Sequence, residues 1–187
     1  MLAPPPAPLA FRTAPSEGFV LSVNRLDRAK RIDLLIEAAA LAPDVRIVIA
    51  GDGPDRERLE QLARDRGVDG RATFSGRVSD AELADLYARC SCVYYAPVNE
   101  DYGLVPYEAF LSEKPVVTMT DAGGPLDIVH ERETGLVVAP RREDLAVALE
   151  WLRTNEDEAR ALGRAGREIA RAVTWDSCVK RLLEAVV

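Results

Sequence analysis

Two glutamates, Glu100 and Glu108, stand on either side of the stretch DYGLVPY, between a run that predicts a strand and a run that predicts a helix. Pro97 ends the strand, Gly103 permits close backbone approach, and the helix is expected to begin near Leu104. The free N–H groups of a helix start attract anions, whereas carboxylates accept hydrogen bonds from hydroxyl groups. The stretch therefore suits a sugar joined to a nucleoside diphosphate. The alternative is that both acids only complement the helix dipole.

Two cations lie in another loop that follows a predicted strand. The segment NRLDRAK follows the apolar run that ends near residue 23, and Arg25 and Lys30 flank the entry to the next helix. Two cations beside exposed helix N–H groups can form a phosphate site. The alternative is a charged helix start that only faces solvent.

Two glycine-containing loops, GDGPD and TDAGGPLDIV, also follow predicted strands. The sequence has neither the G-x-G-x-x-G fingerprint nor a Walker lysine in these loops, so the ordinary dinucleotide and P-loop signatures are absent. Gly51 and Gly53 are predicted to form a tight turn, and Gly123 and Gly124 to allow close backbone approach. His130, the single histidine, is predicted to lie on a surface loop and not to act as a base.

The loops with this chemistry connect six predicted strands, which alternate with helices. The strands are expected at 19–24, 45–50, 72–76, 92–96, 115–119 and 135–139, and the residues after 141 have helical patterns. Strands that are apolar throughout and alternate with helices indicate a parallel sheet covered on both faces. Right-handed crossovers then predict an α/β fold, a Rossmann-like doubly wound parallel sheet whose ligands bind at the carboxyl ends of the strands.

The composition indicates the number of domains, the class of partner and the redox state of the compartment. The 187 residues suit one domain, and a net charge of −7 disfavours nucleic acid as the main partner. Residues 1–17 are predicted to be a proline-rich linker, and 18–187 a domain with C-terminal helices. The N-terminus does not resemble a signal peptide, and the three cysteines suit a reducing cytosol. Cys90 and Cys92 would share a face if both lay on a strand, but structural thiols are expected in preference to a metal or redox pair.

Taken together, these segments resemble the C-terminal half of a family 4 (group 1) glycosyltransferase with the two-domain GT-B fold, from about Gly18 to Val187. Three differences from the family pattern stand out: Asp127 replaces a common glutamate, Glu113 a common glycine, and Asn24 a small residue. The segments that carry the resemblance are VNRLDRAKRIDLLIEAA, IVIAGDGPDRERLEQLA, ATFSGRVSDAELADLYA, EDYGLVPYE, KPVVTMTDAGGPLDIV and ETGLVV.

The resemblance implies the donor domain of a retaining hexosyltransferase that uses a nucleoside-diphosphate sugar and needs no metal or other cofactor. It makes residues 1–17 an inter-domain linker and 18–187 the nucleotide-sugar-binding domain. The acceptor, a glycan or lipid-linked molecule, would be held by an N-terminal domain that is missing here, so the isolated domain is expected to be inactive. The enzyme would work in the cytoplasm or at the periphery of a membrane. An epimerase of the same fold and a nucleotide-sugar-binding regulatory subunit are the alternatives.

The resemblance also gives four side chains a role. Arg25 and Lys30 would neutralise the diphosphate of the donor. Glu108 would hold the ribose hydroxyls, and Glu100, the residue implied at the catalytic centre, would contact the donor sugar.

Backbone groups would complete the donor site implied by the resemblance. The amides near Gly103, Leu104 and Val105 would serve the sugar and the diphosphate. The loop GRVSD would meet the base, largely through the backbone around Val78.

Overall fold

Six strands form one sheet in the computed structural model, which describes residues 10–184. All neighbouring strands pair in parallel, in the order β3-β2-β1-β4-β5-β6. This arrangement confirms the predicted doubly wound fold. Positions 1–9 of the predicted linker lie outside the described residues. The strands are β1 (Phe19–Val23), β2 (Arg46–Ala50), β3 (Ala72–Gly76), β4 (Cys92–Tyr94), β5 (Val116–Met119) and β6 (Gly135–Val138).

Helices follow the strands and then complete the described chain, as the apolar periodicity predicts. Three short 3-10 turns, at Arg28–Lys30, Asp69–Arg71 and Gly124–Asp127, lie in the connections. The α-helices are α1 (Ile32–Leu41), α2 (Arg56–Asp65), α3 (Asp80–Arg89), α4 (Val105–Leu111), α5 (Arg142–Thr154), α6 (Glu156–Ala172) and α7 (Trp175–Glu184). Within residues 10–184, none of these helices combines the length and the apolar character needed to cross a bilayer.

The sheet is buried on both faces except at the edge strand β3, where Thr73 and Ser75 are exposed, which explains why the inner strands are mostly apolar. Along β1, Val20 packs into the layer formed with α1, α2 and α5, whereas Leu21 packs into the layer formed with α3 and α4. Successive strand residues point to opposite faces, so each face has its own core. Helix α6 contacts both layers, because Leu162 joins the first and Ala170 the second.

The loops after β1 and β4 meet where the strand order reverses. Strands β1 and β4 are neighbours in the sheet, while β2 and β3 extend from one side and β5 and β6 from the other. The N–H of Val98, after β4, donates to the carbonyl oxygen of Ala29, after β1, at 2.9 Å. In open parallel sheets this reversal opens a crevice for ligands at the carboxyl ends of the strands.

The two neighbouring cysteines do not share a strand face. Cys90 is the C-cap of α3, and Cys92 is the first residue of β4. The two side chains pack into different core layers, so the shared face that a common strand would give them does not form. Both thiols are free and buried, and burial raises the pKa of Cys92 to about 12. Buried thiols with raised pKa values are unreactive, which agrees with a structural role.

Candidate functional site

An open cleft of about 780 Å³ lies at the carboxyl ends of β1, β2 and β3. Two of the predicted site residues, Arg25 and Val78, line it. The guanidinium of Arg25 is largely exposed, with 73% of the side chain accessible, and lies 3.9 Å from the carboxylate of Asp27. An exposed cation that forms only such a long, solvated contact loses little when it turns toward a bound anion.

The glycines of the GDGP loop allow the backbones of two loops to approach closely at the base of this cleft. A Cβ on Gly51 would lie 1.8 Å from the carbonyl oxygen of Asn24, and one on Gly53 would lie 2.3 Å from that of Leu26. The N–H of Leu26 donates to the carbonyl oxygen of Asp52 at 3.0 Å. The predicted tight turn is therefore a close contact between the loops after β1 and β2, which only glycine permits.

Lys30 and Glu100 form a second cluster at the carboxyl ends of β1 and β4. The Lys30 ammonium pairs with the Glu100 carboxylate, and the two side chains are 20% and 28% exposed. The Tyr95 hydroxyl donates to the same carboxylate oxygen at 3.4 Å, and its ring centroid lies 5.8 Å from Lys30 Nζ. Residues assigned to the diphosphate and to the sugar thus lie together, as they must if they bind adjoining parts of one donor.

Arg31 holds the cluster in place. Its backbone is left-handed, with φ of 51°, and its guanidinium donates to the carbonyl oxygens of Ala96 and Pro97 at 2.8 and 2.7 Å. The same group donates to both carboxylate oxygens of Asp121 at 2.8 and 2.9 Å, which lowers the pKa of Asp121. One side chain therefore fastens the loops after β4 and β5 next to Lys30.

The double glycine after β5 fastens the backbone of Glu100. The Glu100 N–H donates to the carbonyl oxygen of Ala122 at 2.9 Å, and the Gly124 N–H donates to that of Glu100 at 2.6 Å. A Cβ on Gly124 would lie 2.3 Å from the carbonyl oxygen of Asp101. The predicted close approach is therefore an approach to the Glu100 loop, and the helix expected at Pro125 is a single 3-10 turn.

Glu108 lies on α4 and faces α3. Its carboxylate accepts a hydrogen bond of 2.7 Å from the hydroxyl of Tyr87, which is fully buried. Burial raises the pKa of Glu108, and the bond from Tyr87 offsets part of that shift. A half-buried carboxylate with a free oxygen can accept further hydrogen bonds from ligand hydroxyls.

The predicted backbone contacts lie at the start of the same helix. Gly103 and Leu104 directly precede α4, which begins at Val105. The first N–H groups of a helix have no acceptor within it, so amides at this position can bind an anion.

Replacing Glu108 with glutamine is expected to stabilise the protein at neutral pH. Because burial raises the pKa of Glu108, the folded state binds this proton more tightly than the unfolded chain. Stability therefore falls as the pH rises from the unfolded value of about 4.3 through the raised folded value. Glutamine is neutral throughout and can still accept from Tyr87.

Urea unfolding of the parent and Glu108→Gln at a series of pH values measures this difference. The gain should vanish below about pH 4, where the parent carboxyl is protonated as well. Glu158→Gln, the same change at an exposed position on α6, serves as the control. A gain of equal size at every pH would contradict the burial argument.

Sequence reasoning missed the residues that support the predicted side chains. Tyr87, Tyr95 and Arg31 contact Glu108, Glu100 and the loops beside Lys30, respectively. Tyr95 carried a weak signal, because it directly follows the buried strand β4, at the carboxyl edge of the sheet.

The remaining titratable groups within the described residues are not positioned like the ligand sets of metal centres. His130 is exposed on a loop, as predicted, with its ring 3.6 Å from Glu133. Across residues 10–184, histidine, cysteine and acidic side chains form no cluster of three or more that could hold a metal ion.

Comparison with known proteins points to one family. The model of the family described as "Glycosyl transferases group 1" matches residues 10–169. The chain is 35% identical over 181 residues to the GDP-mannose-dependent alpha-(1-6)-phosphatidylinositol monomannoside mannosyltransferase of Mycobacterium tuberculosis, covering 88% of this chain and 46% of that protein. It is 32% identical over 181 residues to the D-inositol 3-phosphate glycosyltransferase of Mycobacteroides abscessus, covering 94% and 40%. The chain thus spans less than half the length of these relatives.

Two solved structures share the fold. The sucrose-phosphate synthase of Thermosynechococcus elongatus superposes with a TM-score of 0.82 at 29% identity, covering all of this chain and 51% of that one. Anabaena Alr3699/HepE in complex with UDP-glucose superposes with a TM-score of 0.81 at 25% identity, covering 90% and 48%.

Proposed function

The chain belongs to the group 1 glycosyl transferase family, and we propose that it is the donor-binding domain of a retaining hexosyltransferase. The donor would be a nucleoside-diphosphate sugar, and the acceptor a glycan or lipid-linked molecule. The observation that carries this proposal is the pairing of Lys30, after β1, with Glu100, after β4, at the point where the strand order reverses. Arg25 lies in the same loop as Lys30, and Glu108 lies on the helix that follows Glu100. Cations for a diphosphate and carboxylates for sugar hydroxyls are the groups that such a donor needs.

The cleft accommodates the nucleotide part of the donor. Its volume of about 780 Å³ falls in the range of sites for small ligands. The base would lie against the backbone around Val78, and the diphosphate would extend past Arg25 toward Lys30. Glu108 would accept hydrogen bonds from the ribose hydroxyls, with Tyr87 holding its other oxygen.

The Lys30–Glu100 pair would lie at the reacting end of the donor. In the transfer, the bond between the anomeric carbon and the phosphate oxygen breaks, and the diphosphate leaves with the electron pair. The oxygen of an acceptor hydroxyl bonds to the carbon, and the proton of that hydroxyl passes to the leaving diphosphate. Lys30 would stabilise the charge that grows on the leaving phosphate, and Glu100 would accept from a sugar hydroxyl. Arg25 and Lys30 would thereby offset the diphosphate charge without a metal or other cofactor.

The comparisons support the donor class without fixing the base or the sugar. A relative is described as GDP-mannose-dependent, and one structural neighbour contains UDP-glucose. Both descriptions name nucleotide sugars, which fit the charges and volume of the cleft. We propose the same class of donor here.

The domain organisation follows from the same proposal. Residues 1–17 would link this domain to an N-terminal domain that holds the acceptor, and 18–187 would bind the donor. The enzyme would work in the cytoplasm or at the periphery of a membrane.

Calorimetry tests the proposal directly. In buffer containing EDTA, the chain is expected to bind one of UDP, GDP or ADP, because its cations and not a metal neutralise the diphosphate. Arg25→Ala or Lys30→Ala removes a charged contact of roughly 1.5–3 kcal/mol, so the affinity for the diphosphate should fall by about tenfold or more. The affinity for the matching nucleoside should hardly change.

Arg28→Ala is the matched control, because Arg28 is an exposed cation between the other two. Equal losses for diphosphate and nucleoside would mean that Arg25 and Lys30 are structural. Failure to bind any nucleoside diphosphate would overturn the proposed function.

A further inference from the structure

A second cavity, of about 480 Å³, lies at the opposite edge of the sheet from the donor cleft. It opens at the amino ends of β4 and β5, between the segment 13–16, the turn 112–115 and the face of α6 near Arg160 and Arg164. None of the residues assigned to the donor lines it. The cavity is therefore separate from the proposed active site.

Two buried polar side chains line this cavity without a partner in the described part of the chain. Ser112 is fully buried, and its hydroxyl makes no hydrogen bond with any group of residues 10–184. Lys114 is 8% exposed, and its ammonium has neither a hydrogen bond nor an ion pair there. Burial lowers the pKa of Lys114. A buried polar group without a partner lowers the stability of the folded protein. The Ser112 hydroxyl therefore needs an acceptor, and the Lys114 ammonium needs an acceptor or an anion.

The charges around these two groups favour an anion. Arg160 and Arg164 approach from successive turns of α6, and Arg160 is partly neutralised by Glu156 at 2.9 Å. Glu113, the other acid in the wall, pairs with Arg167. Among the described residues, no carboxylate forms an ion pair with Lys114 or Arg164, and the nearby Glu113 only partly offsets the charge of Lys114.

The segment 1–9 is a poor candidate to neutralise these charges. It reads MLAPPPAPL and carries no acidic side chain. The volume of about 480 Å³ also exceeds that of a single oxyanion, and pockets of several hundred cubic ångströms typically hold small organic molecules. Part of the wall is apolar, with Pro15, Pro115 and Leu152 facing the space.

We propose that this cavity binds a small phosphate monoester. The phosphate would accept a hydrogen bond from the Lys114 ammonium, and one from the Ser112 hydroxyl once that buried group turns toward the cavity. Arg164 would close over the phosphate, and the organic part would lie against the apolar wall. A dianionic group with several acceptor oxygens satisfies a hydroxyl and two cations at once, which a single carboxylate cannot do as fully. The inference does not depend on the nature of the donor.

Calorimetry with glycerol 3-phosphate tests the site. Inorganic phosphate and glycerol, which correspond to the two halves of this molecule, are measured in parallel. Glycerol 3-phosphate is expected to bind, inorganic phosphate to bind more weakly, and glycerol not to bind. Lys114→Met should weaken the binding by about tenfold or more, and Ser112→Ala should weaken it severalfold. Lys180→Met, the same change at an exposed position on α7, should leave it unchanged.

Amide chemical shifts show where the probe binds. On titration of glycerol 3-phosphate, shifts are expected at 112–115 and around Arg164, and Arg25→Ala should not reduce the affinity. Shifts confined to the loop with Arg25 and Lys30 would assign the phosphate to the donor site and overturn the proposal. Absence of saturable binding, or equal binding by the parent and both cavity variants, would also overturn it.

Discussion

The substitutions Glu108→Gln and Glu100→Gln are expected to separate nucleotide binding from sugar binding. Glu108→Gln replaces one acceptor oxygen with a donor amide, so it should lower the affinity for the diphosphate and the nucleotide sugar alike. The loss of a charged hydrogen bond of roughly 1.5–3 kcal/mol corresponds to about tenfold or more. Tyr87 donates to only one of the two carboxylate oxygens of Glu108, so the other oxygen is the one that the ligand would contact.

Glu100→Gln should weaken the contact with the sugar of the donor and should not weaken the binding of the diphosphate. The structure adds a reason beyond the contact with the sugar: Lys30 is paired with Glu100, and a neutral glutamine frees the ammonium for the diphosphate. The diphosphate affinity should therefore be kept or increased, while the advantage of the sugar-bearing donor is lost.

Calorimetry with the diphosphate and its nucleotide sugar measures both variants on the same scale. Glu158→Gln, at an exposed position on α6, is the matched control and should change neither affinity. Identical diphosphate losses in the two site variants would reject the assignment of one glutamate to ribose and the other to sugar.

The second large effect is all-or-none: the 187-residue chain alone is expected to bind donor and transfer no sugar. The donor groups all lie at the carboxyl edge of one sheet, and the cleft between β1 and β3 is open. Holding an acceptor hydroxyl against the anomeric carbon accounts for a large part of the barrier reduction in such reactions. Within residues 10–184 no second wall faces the cleft, so water reaches the reacting carbon.

A donor-consumption assay with a panel of glycan and lipid-linked acceptors checks this expectation, with calorimetry on the same sample to show that donor is bound. Adding EDTA should change neither result. Robust transfer by the chain alone would place the acceptor site within these residues and contradict the two-domain proposal.

The fold was predictable because one physical condition governs most of the chain. A strand buried on both faces must be apolar at every position, and β1, β2 and β5 meet that condition over nearly their full length. The alternation of such runs with helical patterns then leaves few arrangements besides a doubly wound sheet.

The contacts in the site were not predictable in the same way. Lys30 and Glu100 are 70 positions apart in sequence, and they meet only because β1 and β4 are neighbours in the sheet. Local patterns do not encode that adjacency. Arg31 was hidden for a related reason. Two of its acceptors are backbone carbonyls, which every residue has, and the third, Asp121, is 90 positions away in sequence.

The glycines of the GDGP loop show a third limit. A glycine before a proline is typical of a turn, and the turn interpretation followed from that. In the structure, the requirement at Gly51 comes from the carbonyl oxygen of Asn24, which lies in a different loop. A steric requirement that comes from another segment cannot be recognised from the residues next to the glycine.

The strand order also has a consequence for how the chain folds during synthesis. β1 is translated first but lies in the middle of the sheet, with β2 on one edge and β4 on the other. Its pairing with β2 can form early, whereas its partner at Cys92 and Val93 leaves the ribosome about seventy residues after Val20 and Leu21. Until then one edge of β1, in which Ser22 is the one polar residue, is open to other chains. Nascent chains in crowded conditions should therefore be most prone to aggregate in the interval before β4 emerges.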